Sequence, residues 1–167
     1  IQVAFPHGIV SAQPPEWLVV EVSTFQLETA REFKPDIAVL LNIYPNHLDR
    51  HGNMETYTAL KYSLFDRMTA ADVGVVPLTL RDMVVSRSPG RPAWRTFGAG
   101  AADYRVDGNR IVGPDGFLAD LGGSLFANAA LMPNAAAGAA ALAAAGVGAR
   151  EMVGAACSLR PLPHRFQ

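Results

Sequence analysis

The sequence predicts an α/β fold: a mainly parallel sheet flanked by helices, with a small antiparallel β meander. Three observations carry that reading. Short β-branched apolar runs alternate with stretches of helical spacing through the first half of the chain. From Arg95 to Asp120 the texture changes to brief runs separated by Gly98, Asp107-Gly108-Asn109 and Pro114-Asp115-Gly116, which is hairpin wording. The last third is rich in alanine, the strongest helix former. At 167 residues the chain has room for one domain with a real core.

Taken in order, residues 17–22 (Trp-Leu-Val-Val-Glu-Val) follow the Pro14-Pro15 break and read as a buried strand. Residues 24–33 place Phe25, Leu27, Ala30 and Phe33 at helical spacing and stop before Pro35. Residues 36–41 (Asp-Ile-Ala-Val-Leu-Leu) form a second buried strand. The polar loop 42–52 that follows is long for a strand-to-helix connection, and long loops are more often functional. Asn53 caps a helix to about Met68, and residues 73–76 are a third strand. Runs at 94–97, 104–106, 110–112 and 117–119 make the meander. Two helices, about 125–145 and 149–158, are split by Gly146 and Gly148, and a Pro-rich tail closes the chain.

Composition narrows the function. Half the residues are hydrophobic, 17% are charged and the formal net charge is −1. That excludes a disordered tail and argues against nucleic acid as a partner. Cys157 is the only cysteine, so a multi-cysteine zinc site and an intrachain disulfide are both excluded, and a reducing, cytoplasmic setting fits. The apolar run 135–149 is shorter than the roughly 20 residues of a membrane helix, so no membrane association is expected. The chain opens on Ile1 with no basic and apolar leader, and reads as a piece of a longer protein.

In open parallel sheets, ligands bind beyond the carboxyl ends of the strands. Two strands end there in polar groups: the first at Glu21-Val22-Ser23-Thr24, the second at Asn42 and then His47-Leu48-Asp49-Arg50-His51. Glu21 and His47 could share Mg²⁺ or position a phosphate, or be a solvated strand-end carboxylate and a loop histidine. Lys61 falls on the apolar stripe of Met54, Tyr57, Leu64 and Met68. An inward lysine must snorkel, pair with an acid or be modified, because burying a bare ammonium is costly. His47, Asp49 and His51 could also be a metal-hydrolase cluster. No Gly-x-x-x-x-Gly-Lys-[Ser/Thr] phosphate loop occurs.

The wording of four segments is similar to one family. Glu21-Val22-Ser23-Thr24-Phe25-Gln26-Leu27-Glu28 resembles the Glu-Leu-Ser-Ser-Phe-Gln-Leu-Glu motif of the Mur ligases. Asn42-Ile43-Tyr44-Pro45-Asn46-His47-Leu48-Asp49-Arg50-His51-Gly52 resembles their Asn-x-x-x-Asp-His-Leu-Asp-Arg-His-Gly. Tyr57-Thr58-Ala59-Leu60-Lys61 resembles their Tyr-x-x-x-Lys, and Pro163-His164-Arg165-Phe166 the Pro-His-Arg-Phe-Glu that closes the central domain. The Ser-x-Phe-Gln-Leu wording resembles that of the D-glutamate-adding branch.

The resemblance implies that residues 1–167 are a central ATP-binding domain, without the phosphate loop, the N-terminal UDP-binding domain or the C-terminal domain. It implies an ATP-dependent ligase joining D-glutamate to UDP-N-acetylmuramoyl-L-alanine through an acyl phosphate, with this piece inactive alone. Glu21 and His47 would hold Mg²⁺, and Lys61 would join them as a carbamate, the three serving as catalytic residues. Ser23, Thr24 and Gln2 would lie near substrate, and Asn134 and Arg165 near the nucleotide. The match departs from the family at several positions. Gln2 and Ala4 stand for asparagine and glycine, Asn46 for aspartate, Pro133 for histidine and Ala137 for asparagine. These departures keep a second reading open, a degenerate homologue retained as a non-catalytic binding or scaffold module.

Overall fold

The computed structural model describes residues 16–159. One six-stranded sheet runs in chain order: β1 (Ile37–Val39), β2 (Val73–Pro77), β3 (Ala93–Gly98), β4 (Tyr104–Asp107), β5 (Arg110–Gly113) and β6 (Gly116–Asp120). β1 to β4 pair in parallel, and β4, β5 and β6 are antiparallel. The helices are α1 (Thr24–Leu27), α2 (Leu48–His51), α3 (Met54–Tyr62), α4 (Arg81–Arg87), α5 (Met132–Ala144) and α6 (Ala149–Ser158). The expected class, a mainly parallel sheet flanked by helices with an antiparallel end, is what forms.

Because successive side chains on a strand point to opposite faces, each central strand feeds two cores. Val75 and Phe97 pack with Ile111, Met132, Ala136 and Ala140 under α5. Ala38, Leu40 and Val76 pack on the other side with Tyr62, Phe65, Met68 and Val84. Two glycines are required by close approach. A Cβ on Gly74 would meet the Trp94 ring, and one on Gly90 would run into the carbonyl oxygen of Phe65. Asp72, buried just before β2, accepts from Lys34 Nζ at 2.6 Å and from the Thr69 amide and hydroxyl at 2.7 and 2.9 Å. Those donors hold its carboxyl below the usual range, with the Lys34 hydrogen bond the leading cause.

The structure corrects four expectations. Residues 17–22 are not a strand: they form no ladder, and Trp17, Leu18 and Val19 are exposed. A β-branched run becomes a buried strand only where neighbours take up its backbone groups. The helix expected over 24–33 closes after Leu27 and continues as turns. The helix expected from 125 starts at Met132, because Pro133 fits only the first turn of a helix. The run at 94–97 is β3, part of the parallel sheet rather than the meander.

The β3–β4 pair is unusual, since parallel neighbours ordinarily need a crossover of a dozen or so residues. Here residues 99–103 suffice. Only Phe97↔Tyr104 and Gly98↔Arg105 are in register. Asp103 clamps the bend: its Oδ2 accepts from the Thr96 amide and hydroxyl at 2.7 and 2.8 Å, and its own amide donates to Thr96 Oγ1 at 2.9 Å. Gly98 and Gly100 supply the positive φ that so short a connection needs.

Candidate active site

The rim beyond β1 is built from α1, the loop 42–47, α2 and α3. Ser23 caps α1 reciprocally: its hydroxyl accepts from the Gln26 amide at 3.4 Å, and Gln26 Oε1 accepts from the Ser23 amide at 2.8 Å. The Ser-x-x-Gln spacing in the motif is therefore also a helix start. Glu21 lies two residues before that cap, exposed, and its carboxylate has no hydrogen-bond or ion-pair partner among the described residues.

Thr24 turns the other way. It is buried, and its Oγ1 lies 3.0 Å from His51 Nε2. His51 Nδ1 lies 3.3 Å from Glu28 Oε1, and Arg50 donates to Glu28 Oε2 at 2.7 Å. A carboxylate can only accept, so with the hydrogen on Nδ1, facing Glu28, the Nε2 atom is the acceptor for the Thr24 hydroxyl. This chain of contacts ties α1 to α2. The ring of Phe25 stands against both imidazoles, 5.0 Å from His47 and 5.4 Å from His51 between centroids.

His47 is the only non-glycine residue with positive φ among the described residues, at φ 52° and ψ 33°. The left-handed region costs such a residue roughly 1–2 kcal/mol, and strain of this kind gathers at functional sites. Asn46 supports the turn by accepting the His47 amide on Oδ1 at 2.9 Å. That leaves the exposed imidazole with its contact to Phe25 and no hydrogen-bond partner among the described residues.

The two lysines differ. Lys34 is committed to Asp72. Lys61, half-buried on α3, donates to the carbonyl of Asn42 at 3.3 Å and sits 5.3 Å over the Tyr57 ring, with no carboxylate partner among the described residues. Asn42 follows β1, so this ammonium stands at the carboxyl end of the sheet on the loop that leads to His47. An ammonium held over an aromatic ring also explains how an inward lysine is tolerated.

No hydrogen bond or ion pair joins Glu21, His47 and Lys61 to one another among the described residues, and no group of three acidic, histidine or cysteine side chains there is placed to hold a metal. The hydrolase cluster of His47, Asp49 and His51 is thereby overturned, because His51 is buried with both ring nitrogens engaged. Asn134 lies half-buried in the first turn of α5. Gln2 and Arg165 lie outside the described residues. Sequence reasoning missed the Thr24–His51–Glu28 link, although Glu28 and His51 both lie in the quoted motifs.

A family model described as the Mur ligase middle domain matches residues 6–117. The UDP-N-acetylmuramoylalanine–D-glutamate ligase of Acidobacterium capsulatum is 47% identical over 81 residues, which is 48% of this chain and 17% of that protein. The ligase of the same name from Prochlorococcus marinus is 33% identical over 131 residues, 78% of this chain and 28% of that protein. The chain thus spans less than a third of the length of these relatives. The crystal structure of MurF from Acinetobacter baumannii superposes with a TM-score of 0.60 at 20% identity, over 80% of this chain and 31% of that one, a likeness of fold.

Proposed function

The chain belongs to the Mur ligase family, within the region described as its middle domain, and on that premise we propose that it is the central, ATP-binding part of a cytoplasmic ligase that adds D-glutamate to UDP-N-acetylmuramoyl-L-alanine in peptidoglycan precursor synthesis. The D-glutamate assignment is supported by the Ser23-Thr24-Phe25-Gln26-Leu27 wording and by the names of the two partial relatives. The observation that carries the site is Lys61: of two lysines it is the one without an acidic partner among the described residues, and it stands beyond the carboxyl end of β1, the edge at which open parallel sheets ordinarily take ligands.

The chemistry requires a poor electrophile to be activated. ATP transfers its γ-phosphoryl group to the substrate carboxylate and leaves as ADP. The amine of D-glutamate then attacks the acyl carbon, and the tetrahedral adduct expels phosphate as the amide forms. Several anions must be held close together, so fixed positive charge and donors dominate the barrier. Mg²⁺, when bound, would neutralise phosphate charge during the transfer.

The donor types here suit that ion. Glu21 offers a carboxylate and His47 an imidazole, each without a hydrogen-bond partner among the described residues. Lys61 as an ammonium repels a cation. Its deprotonated amine adding to CO₂ would give a carbamate and release a proton, supplying the oxygen donors Mg²⁺ prefers. Ser23 and Gln2 would face the muramoyl substrate, with Thr24 orienting α1 beside it through His51. Asn134 and Arg165 would serve the nucleotide.

The test uses the full-length protein and follows phosphate release. Release should require both UDP-N-acetylmuramoyl-L-alanine and D-glutamate, and Lys61→Ala should lower it by about a hundredfold or more. Release independent of D-glutamate, or unchanged in Lys61→Ala, overturns the reading. The departures at Asn46, Pro133 and Ala137 favour one rival, a scaffold homologue without turnover. A full-length protein that binds the nucleotide substrate yet never releases phosphate would establish that rival.

A further inference from the structure

Glu21 precedes α1, His47 caps the start of α2 and Lys61 lies in the last turn of α3. α1 and α2 are single turns of four residues each, far below the roughly 12 an isolated helix needs. Their orientation therefore comes from what they touch. His51, the last residue of α2, reaches both neighbours. Its Nε2 lies 3.0 Å from Thr24 Oγ1 in α1, and its Nδ1 lies 3.3 Å from Glu28 Oε1 just after α1. Its ring stands 5.4 Å from that of Phe25 and 5.8 Å from that of Tyr57 between centroids. Phe25 is the ring against His47, and Tyr57 is the ring beneath the Lys61 ammonium. One imidazole is thus a single side chain away from His47 and from Lys61, and is tied directly to the turn that follows Glu21.

The His51 side chain is 1% exposed, so it meets no substrate. Whatever it does for the chemistry, it does through its neighbours. A buried polar side chain with both nitrogens engaged fixes one arrangement of the elements it joins, where an apolar one would tolerate several. The second link between these turns, Arg50 to Glu28, is solvent-exposed on the arginine, and exposed ion pairs contribute little. The tie rests on His51.

We infer that His51 is a positioning residue: it sets α1 and α3 against α2 so that Glu21, His47 and Lys61 serve one phosphoryl-transfer centre. This role rests on the ligase reading, whereas the contacts that give rise to it do not. A misplacement of about 1 Å at such a centre can cost a hundredfold in rate, so loss of the tie reads out in the chemical step.

The experiment compares two variants of the full-length protein. His51→Leu fills the space without polar atoms, and His51→Gln brings an amide oxygen to the Nε2 position to accept from Thr24. Phosphate release is expressed per folded molecule, with the folded fraction taken from urea curves. His51→Leu should lower kcat roughly thirtyfold while KM for UDP-N-acetylmuramoyl-L-alanine and for D-glutamate stays within about threefold. His51→Gln should recover part of that loss. If His51→Leu does not fold, Thr24→Val, which keeps the shape and removes the hydroxyl, should show the same split at about tenfold. A second readout needs no turnover. In carbonate-free buffer the ε-methylene resonance of Lys61, assigned with Lys61→Arg, should carry the ring-current shift of Tyr57 and move toward the free-lysine position in His51→Leu. Unchanged kcat per folded molecule, a loss confined to KM, or a loss as large in His51→Gln overturns the positioning role. A natural protein that releases no phosphate with both substrates overturns the ligase reading instead, and an unmoved Lys61 resonance in His51→Leu then overturns the positioning role as well.

Discussion

Residues 18–20 and 74–76 are both short apolar stretches containing a Val-Val pair, and they meet opposite fates. Val19 is 95% exposed, whereas Val75 and Val76 are fully buried. The side chains are the same; the difference lies in the neighbours. β2 has β1 on one side and β3 on the other, and its alternate residues reach into two separate cores. The stretch before α1 has no ladder partner among the described residues. A strand is thus a property of a pair of chains, and an apolar run is only eligible for it. The contrast also separates stability from function: the packed centre around β2 and β3 carries the fold, and the loosely covered rim beyond β1 holds the candidate chemistry.

That separation can be broken by mutation. The largest effect is expected at Gly90, where an added methyl runs into the Phe65 carbonyl. Gly90→Ala should cost about 3 kcal/mol, seen as a large drop in the urea midpoint of the full-length protein. Val75→Ala should cost about 2–3 kcal/mol by emptying the core under α5, while Val19→Ala should stay within roughly 0.5 kcal/mol. Equal costs for the two valines would mean that 17–22 is packed after all.

Asp72→Ala comes next. It strands the Lys34 ammonium and both Thr69 donors, and should cost about 2 kcal/mol. Because these donors lower the folded-state pKa of Asp72, its stabilising contribution is complete above the unfolded value, near pH 4. It is lost as pH falls through the lower folded value. Acid titrations of stability should therefore fall less steeply for Asp72→Asn than for the natural chain.

The smallest effect has the opposite sign. His47→Gly removes left-handed strain and should leave stability equal or raise it by about 1 kcal/mol, while substrate-dependent phosphate release collapses. A variant that is stabilised and still active would dissociate His47 from the chemistry.

Much of this architecture was legible in local wording. Asn53 caps α3 through the Thr56 amide, α6 occupies the expected 149–158, and the Asp107-Gly108-Asn109 turn joins β4 to β5. What failed depended on partners distant in sequence. β3 looked like a hairpin member because its strand neighbours cannot be read from its own residues. α4 escaped notice because its N-cap is Leu80, which offers no side-chain cap. At the rim, the motifs identified Glu21, His47 and Lys61 by type. The bond from Lys61 to Asn42 and the Thr24–His51–Glu28 chain require the folded backbone, and no periodicity announces them.

The proposed role of Lys61 is as a carbamate that joins Glu21 and His47 in holding Mg²⁺. The most direct test is the ¹³C spectrum of the full-length protein equilibrated with ¹³C-bicarbonate and Mg²⁺. A carbamate resonance that broadens when Mn²⁺ replaces Mg²⁺ and vanishes in Lys61→Arg is the predicted result. A spectrum of the natural protein indistinguishable from that of Lys61→Arg would contradict it.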